Sequence, residues 1–135
     1  RQNLNDKTCL FCADLETVHH LLFDCSIMQI MWKDISQMTQ KPNLSSFEAV
    51  ATYWLSNKKQ SVINMITSAL LWSTWKMRND IVFFGHIWMN MQEIWRRLLS
   101  LKRWQPLYPK NIQVLDRCLL LIDAKAREEV PWLCL

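Results

Sequence analysis

Cysteines and histidines near the N-terminus have the residue types and spacing of a metal site. Cys9 and Cys12 form a C-x₂-C pair, and His20 and Cys25 form an H-x₄-C pair further along. A C-x₂-C turn presents two sulfurs to one ion, and the second pair can close the site from the other arm of the loop. Four nitrogen and sulfur ligands suit one Zn²⁺ in a structural role, because no coordination position stays open for water. His19 competes with His20 for the third ligand position.

The alternative interpretation is a set of reduced core cysteines and surface histidines. The chain has five cysteines, an odd number, and no secretory signal is visible. We therefore expect metal ligation rather than a disulfide framework, and an intracellular location in the cytoplasm or nucleus. Cys118 is expected in the core, and Cys134 is expected to be a free thiol. No apolar run approaches the length of a membrane span, so no membrane partner is expected.

The scarcity of glycine restricts the fold that must position these ligands. The chain of 135 residues has one glycine and four prolines, so it offers few of the positive-φ positions that β-hairpins and bulges need. This argues against β-sandwiches and β-barrels, and it excludes glycine-rich phosphate loops. Hydrophobic residues make up 50% of the chain and eight residues are tryptophan, which excludes a disordered protein. The composition predicts a mainly α-helical, compact domain.

Apolar periodicity divides the chain into two parts that we expect to form one structural domain. Residues 1–25 are predicted to be a small zinc knuckle, and residues 26–135 are predicted to be a single compact helical bundle packed on it. The bundle is predicted to contain about five helices, over about 26–39, 45–56, 60–84, 91–104 and 112–129.

Capping signals mark the ends of these helices. Gly85, the only glycine, is predicted to end the longest helix in a left-handed backbone conformation. The other signals are side chains that can accept the free N–H groups of a helix start. They are the capping boxes Ser45-x-x-Glu48 and Asn90-x-x-Glu93, and the lone cap Asn111.

Two groups of basic and aromatic side chains are candidate contacts for nucleic acid. Trp72 and Trp75 with Arg78 and Asn79 suit base stacking and phosphate contact. The alternative is that both tryptophans are core, with Arg78 and Asn79 hydrogen-bonding a buried turn or helix end. The second group is a basic strip, whose alternative is a solvated helix face in which Glu93 pairs with Arg97. The strip consists of Lys76, Arg96, Arg97, Lys102 and Arg103.

Charge and methionine content allow more than one kind of partner. The net charge is +4 and the pI is about 8.9, which permits contact with RNA or DNA without requiring it. Arg96 and Arg103 are seven residues apart and are expected to share a helix face. The seven methionines, together with tryptophans, form a candidate interface for a protein partner or a second copy; the alternative is that they fill core gaps.

Two longer motifs surround these candidate residues. The first runs from Arg1-x-x-Leu4 through Cys9-x₂-Cys12-x₃-Glu16-Thr17-x₂-His20-Leu-Leu-Phe-Asp-Cys25 to Trp32, and the second is Trp72-x₂-Trp75-Lys76-x-Arg78-Asn79-x₃-Phe83. Both resemble the zinc-binding domain that follows the reverse transcriptase in plant LINE-type retroelements, and the resemblance covers essentially the whole chain. It implies CCHC-type zinc binding by Cys9, Cys12, His20 and Cys25, and help for a polymerase in engaging template RNA or target DNA.

Two functional hypotheses from different classes follow. The first is a structural zinc-binding, retroelement-derived domain that acts as an accessory module for binding RNA or DNA. The second is a domesticated, catalytically inert protein-interaction module in which zinc only stabilises the fold. An enzyme is not expected, because the sequence offers neither a Ser/His/Asp set nor a metal site with an open position.

Overall fold

The computed structural model describes residues 8–12, 14–41, 44–55 and 60–128. The chain is mainly α-helical, as the composition predicts, and the described residues contain no strand beyond an isolated antiparallel bridge between Thr8 and Leu15. Within these ranges, five α-helices form the bundle. They are α1 (Ser26–Thr39), α2 (Phe47–Leu55), α3 (Ser61–Phe84), α4 (Gln92–Leu98) and α5 (Ile112–Ala126).

The fourth predicted helix changes type part-way along its length. The predicted α-helix over 91–104 is wrong beyond Leu98, where a 3₁₀ helix over Leu99–Leu107 takes over, followed by a short 3₁₀ turn over Pro109–Asn111. Pro106 has no N–H to donate, and its ring would clash with the preceding turn of an α-helix. Leucine and tryptophan also recur every third residue here, which matches the 3₁₀ repeat. These residues are Leu98, Leu101, Trp104 and Leu107.

Gly85 ends α3 as the sequence predicts. Its φ is +71°, in the left-handed region that residues with a Cβ rarely adopt. The chain then turns so that the N–H of His86 donates to the carbonyl of Asp80 at 3.1 Å. This turn directs the following segment toward the start of α4.

The predicted N-terminal caps are wrong in detail. Ser46, not Ser45, caps α2, because its Oγ accepts the N–H of Ala49 at 3.2 Å. Asn90 makes no cap bond, and Glu93 instead accepts the N–H of Met89 at 3.1 Å. Asn111 precedes α5, but its amide donates to the Oγ of Ser61 at 2.9 Å and so ties α5 to α3.

One hydrophobic core joins the N-terminal segment to the helices. Trp32 on α1 and Trp95 on α4 are fully buried, and the ring of Phe23 stacks on Trp32 with centroids 5.3 Å apart. Four methionines are also buried, which confirms the core-filling interpretation for them: Met28, Met31, Met38 and Met77. Within the described ranges, no helix has the length and apolar character needed to cross a membrane.

Candidate metal centre

The first arm of the centre is a tight loop closed by the backbone. The Thr8–Leu15 bridge holds its two ends together, and the N–H of Cys9 donates to the carbonyl of Asp14 at 2.5 Å. Folding the chain back in this way places Cys9 and Cys12 at one side of the loop. The C-x₂-C pair is therefore positioned by backbone bonds as well as by any ion that it holds.

The second arm is a π-helical turn over His20–Asp24. The N–H of Cys25 donates to the carbonyl of His20 at 2.7 Å, an i to i+5 bond that makes the turn wider than that of an α-helix. In an α-helix, residues five apart would point about 140° away from each other. The wider turn brings His20 and Cys25 to the same side, so the local backbone is matched to the H-x₄-C spacing. Thr17 supports its start by accepting the N–H of His20 at 3.0 Å.

The four predicted ligands converge. The ligand atoms of Cys9, Cys12, His20 and Cys25 all lie within 4.8 Å of one another. The sulfurs of Cys9 and Cys25 are 3.8 Å apart, and the Cys12 sulfur is 3.1 Å from Nε2 of His20. A tetrahedral ion with metal–sulfur bonds of about 2.3 Å would place its sulfurs about 3.8 Å apart. This cluster can therefore hold one metal ion with all four ligands from the protein.

The structure separates the two adjacent histidines. His20 is half-buried and faces the cysteines. His19 is exposed, and its Nδ1 lies 2.8 Å from a carboxylate oxygen of Asp24. His20, and not His19, therefore belongs to the cluster.

The two buried thiols influence each other. A hydrogen bond joins the sulfurs of Cys9 and Cys25; it lowers the pKa of Cys9 to about 5 and raises the pKa of Cys25, where burial acts in the same direction. A metal ion binds thiolates and not thiols, so it must displace the proton that this pair shares. Occupation of the centre is therefore linked to pH.

An ion pair attaches the metal loop, defined as the segment from Cys9 to Cys25, to α3. Nε and Nη2 of Arg78 donate to the same carboxylate oxygen of Glu16, at 3.0 and 2.9 Å. The Arg78 guanidinium also lies over the ring of Trp75, 5.4 Å from its centroid. Arg78, a candidate surface residue, is thus already bonded. Glu16 lies inside the metal loop, but sequence spacing gives no indication that its partner is 62 residues away.

An aromatic contact makes a second attachment close by. The rings of Phe11 and Trp88 have centroids 4.5 Å apart. Phe11 lies between the two cysteines of the C-x₂-C pair, directly before Cys12. Trp88 belongs to the segment between α3 and α4. The metal loop is therefore fixed to both the end of α3 and the segment that follows it.

Some residues of the predicted basic strip are held in ion pairs with acidic side chains, and others are not. Lys76 and Arg97 both approach Asp80, at 3.9 and 2.7 Å. The predicted Glu93–Arg97 pair is wrong, because Glu93 lies 3.1 Å from His86 instead. The expectation that Arg96 and Arg103 share one α-helical face fails as well, since α4 ends between them. Three side chains of the strip are exposed and form no ion pair within the described part of the chain: Arg96, Lys102 and Arg103.

The remaining candidates divide between core and surface. Cys118 is buried, as predicted, 3.8 Å from the carbonyl oxygen of Met38, and burial raises its pKa. Cys134 lies outside the described residues. The interpretation that Trp72 and Trp75 are both core is wrong for Trp72, whose side chain is 64% exposed.

The donor set decides what the centre can do chemically. Three sulfurs and one imidazole nitrogen supply four protein ligands, the number that completes a tetrahedral coordination shell and suits a structural ion rather than one that binds a substrate. Comparison with protein-family models, curated proteins and solved structures found no match to the chain.

Proposed function

We propose that the protein is a structural zinc-binding domain that acts as an accessory nucleic-acid-binding module of retroelement origin. The observation that carries the zinc assignment is the convergence of Cys9, Cys12, His20 and Cys25 within 4.8 Å. Thiolate-rich tetrahedral sites favour Zn²⁺ among the common cellular divalent ions. The role is structural, because the ion would join the two arms that fix the N-terminal segment to the helices.

Metal analysis tests the zinc assignment. Protein purified without chelator should contain about one zinc per chain, and Cys25→Ser should lose it. The matched control is Cys118→Ser, which places the same hydroxyl at another fully buried cysteine and should keep the metal. Folded wild-type protein with a stoichiometry near zero would overturn the proposal.

The nucleic-acid role is supported by charge. The chain carries a net charge of +4, and Arg96, Lys102 and Arg103 are exposed without acidic partners in the described ranges. Cations of this kind bind phosphates and release condensed counterions, so affinity should fall steeply with salt. These three residues are the preferred phosphate contacts, because Arg78 and Arg97 are held in ion pairs.

Salt-dependent binding of RNA or DNA tests this role. Replacing Arg96 and Arg103 with glutamate should weaken binding and reduce the slope of log K against log salt by about 0.7–0.9 per lost phosphate contact. The control is Arg127→Glu, at an exposed arginine that pairs with Asp123. This variant should bind nucleic acid like the wild type. Undetectable binding at low salt, or affinity that survives both substitutions, would contradict the nucleic-acid role.

A protein-interaction module is the second candidate function. Large apolar side chains are exposed around the segment between α3 and α4: Phe84, Ile87 and Met89. Exposed apolar groups this close together are typical of protein contacts. A protein that holds zinc and binds no nucleic acid at low salt would favour this candidate.

A further inference from the structure

An open groove lies between α3 and the 3₁₀ helix, and none of the four metal ligands lines it. Its volume is about 690 Å³, within the size range of ligand sites. Trp72 on one wall and Trp104 on the other are 64% and 55% exposed, and Tyr108 also lines the groove. Three aromatic rings therefore line one open groove.

Polar and apolar groups in the groove are mixed, and charges lie at its edges. Serines on both walls supply hydroxyl groups, and within the described residues no charged side chain lines the groove. Lys76 follows Trp72 by four residues and so lies on the same face of α3, one turn further along. Arg103 follows Ser100 by three residues, and in a 3₁₀ helix residues three apart lie directly above one another. Ser100 lines the groove, so Arg103 lies at its rim.

The balance of charge at the rim is positive. Asp80 is the acidic residue that neighbours Lys76, and it is bonded more closely to Arg97, at 2.7 Å, than to Lys76, at 3.9 Å. Lys76, Arg97 and Asp80 together carry a net charge of about +1, and Arg103 adds a further positive charge. A polyanion passing along the groove would meet cations at both walls.

We propose that this groove binds single-stranded nucleic acid, with unpaired bases stacked on Trp72 and Trp104 and phosphates next to Lys76 and Arg103. The inference rests on the nucleic-acid role proposed above and specifies the strand form and the surface. Exposed aromatic rings with cations beside them suit single strands, because every unpaired base has a face that can stack. A duplex keeps its bases stacked internally and offers the two tryptophans nothing to stack on.

Fluorescence anisotropy with labelled oligonucleotides tests the groove. The probes are oligo(dT), oligo(rU) and an oligo(dA)·oligo(dT) duplex of equal length, bound to the full zinc-loaded chain. We expect both single strands to bind more tightly than the duplex. Trp72→Ala and Trp104→Ala should each weaken single-strand binding by about 5- to 150-fold, and Trp104→Phe should keep most of the affinity because it retains a ring.

Matched controls separate stacking from general loss of apolar surface. Phe84→Ala removes an exposed ring from the other end of α3, and Leu120→Ala removes an exposed side chain from α5, outside the groove lining. Both should bind single strands like the wild type. All four alanine substitutions are at exposed positions, so circular dichroism and zinc content should stay unchanged.

Each alternative outcome overturns a defined part of the inference. Binding that is insensitive to the two tryptophans, but lost on charge reversal at Arg96 and Arg103, would reject the groove and keep the nucleic-acid role. Preference for the duplex would do the same. If no probe binds at low salt, both the groove as a binding site and the nucleic-acid role are rejected. Concentration-dependent dimers that Trp72→Ala and Trp104→Ala abolish, with nucleic-acid affinity unaltered, would assign the groove to a second copy of the chain.

Discussion

His20 completes the ligand set because the π-helical turn directs its Nε2 toward Cys12, whereas His19 is drawn outward to Asp24. We expect His20→Ala to lower zinc affinity strongly, since it leaves three ligands and an open position. His19→Ala, a change of the same size at the neighbouring position, should keep one zinc per chain. Competition with a chromogenic chelator measures both. Equal zinc loss in the two variants would show that the ligand assignment is wrong.

The sequence alone predicts the metal ligands, but it does not predict the contacts that hold the metal loop in place. Pair spacing identified Cys9, Cys12 and Cys25, and the resemblance selected His20. The bond between Glu16 and Arg78 joins residues 62 apart, and nothing in local spacing encodes such a contact. The π-helical turn is also hidden, because no local residue preference marks it and its Phe23 packs on Trp32, which belongs to the next helix.

At the scale of the element, Gly85 is the clearest test of how α3 ends. A Cβ placed there would meet nothing within 4 Å, so a substitution has only the left-handed backbone to oppose it. We expect Gly85→Ala to lower the free energy of unfolding by about 1–2 kcal/mol. Gly85→Asn should cost less, because asparagine tolerates this conformation better. Urea denaturation measures both, and an unchanged midpoint for Gly85→Ala would contradict the role of the glycine.

The ion pair between the metal loop and α3 is the second test at this scale. Glu16 and Arg78 are both mostly shielded from solvent, with exposed fractions of 16% and 24%, so their attraction is screened less than that of a surface pair. A double-mutant cycle with Glu16→Gln and Arg78→Met should give a coupling energy of about 0.5–3 kcal/mol. The pair of Lys76 and Asp80, which is longer and more exposed, is the control and should couple by less than about 1 kcal/mol. Equal coupling in the two cycles would remove the special role of Arg78.

Helix positions followed from apolar periodicity, while helix ends did not. α1 spans the predicted residues because its apolar side chains recur at helical spacing and are buried in the common core. The capping residues of α2 and α4 differ from the predicted ones because several serines, asparagines and glutamates near each helix start can accept hydrogen bonds from the same N–H groups. Tertiary contacts choose among them, as the bond from Asn111 to Ser61 shows.

At the scale of the whole molecule, the metal centre and the bundle share one core. Cys9, Cys25 and Phe23 are buried in the same cluster as Trp32 and Trp95. Removal of zinc should therefore lower the thermal midpoint of the entire chain rather than release a separate N-terminal part. Circular dichroism and near-ultraviolet signals should change together in one transition. Two separate transitions after chelation would show that the N-terminal segment is independent.

Acid should have the same effect as a chelator. The pKa of Cys9 is lowered to about 5, so its thiolate is present at neutral pH and is protonated as the pH falls through that value. Protons compete with the metal for sulfur, so zinc should be retained at pH 7 and released progressively as the pH falls. Zinc released into a colour-forming chelator, recorded beside helicity, measures this. Zinc that stays bound until the protein unfolds completely in acid would contradict this prediction.

The contacts from Glu16 to Arg78 and from Phe11 to Trp88 also set an order of events during synthesis. All four metal ligands have left the ribosome once Cys25 has emerged, so the ion can bind the nascent chain at that point. Arg78 and Trp88 emerge only about fifty to sixty residues after Cys25, several seconds later at about 5–20 residues per second. Metal capture by the nascent chain would thus precede closure of the core, and would protect reactive thiols during the interval.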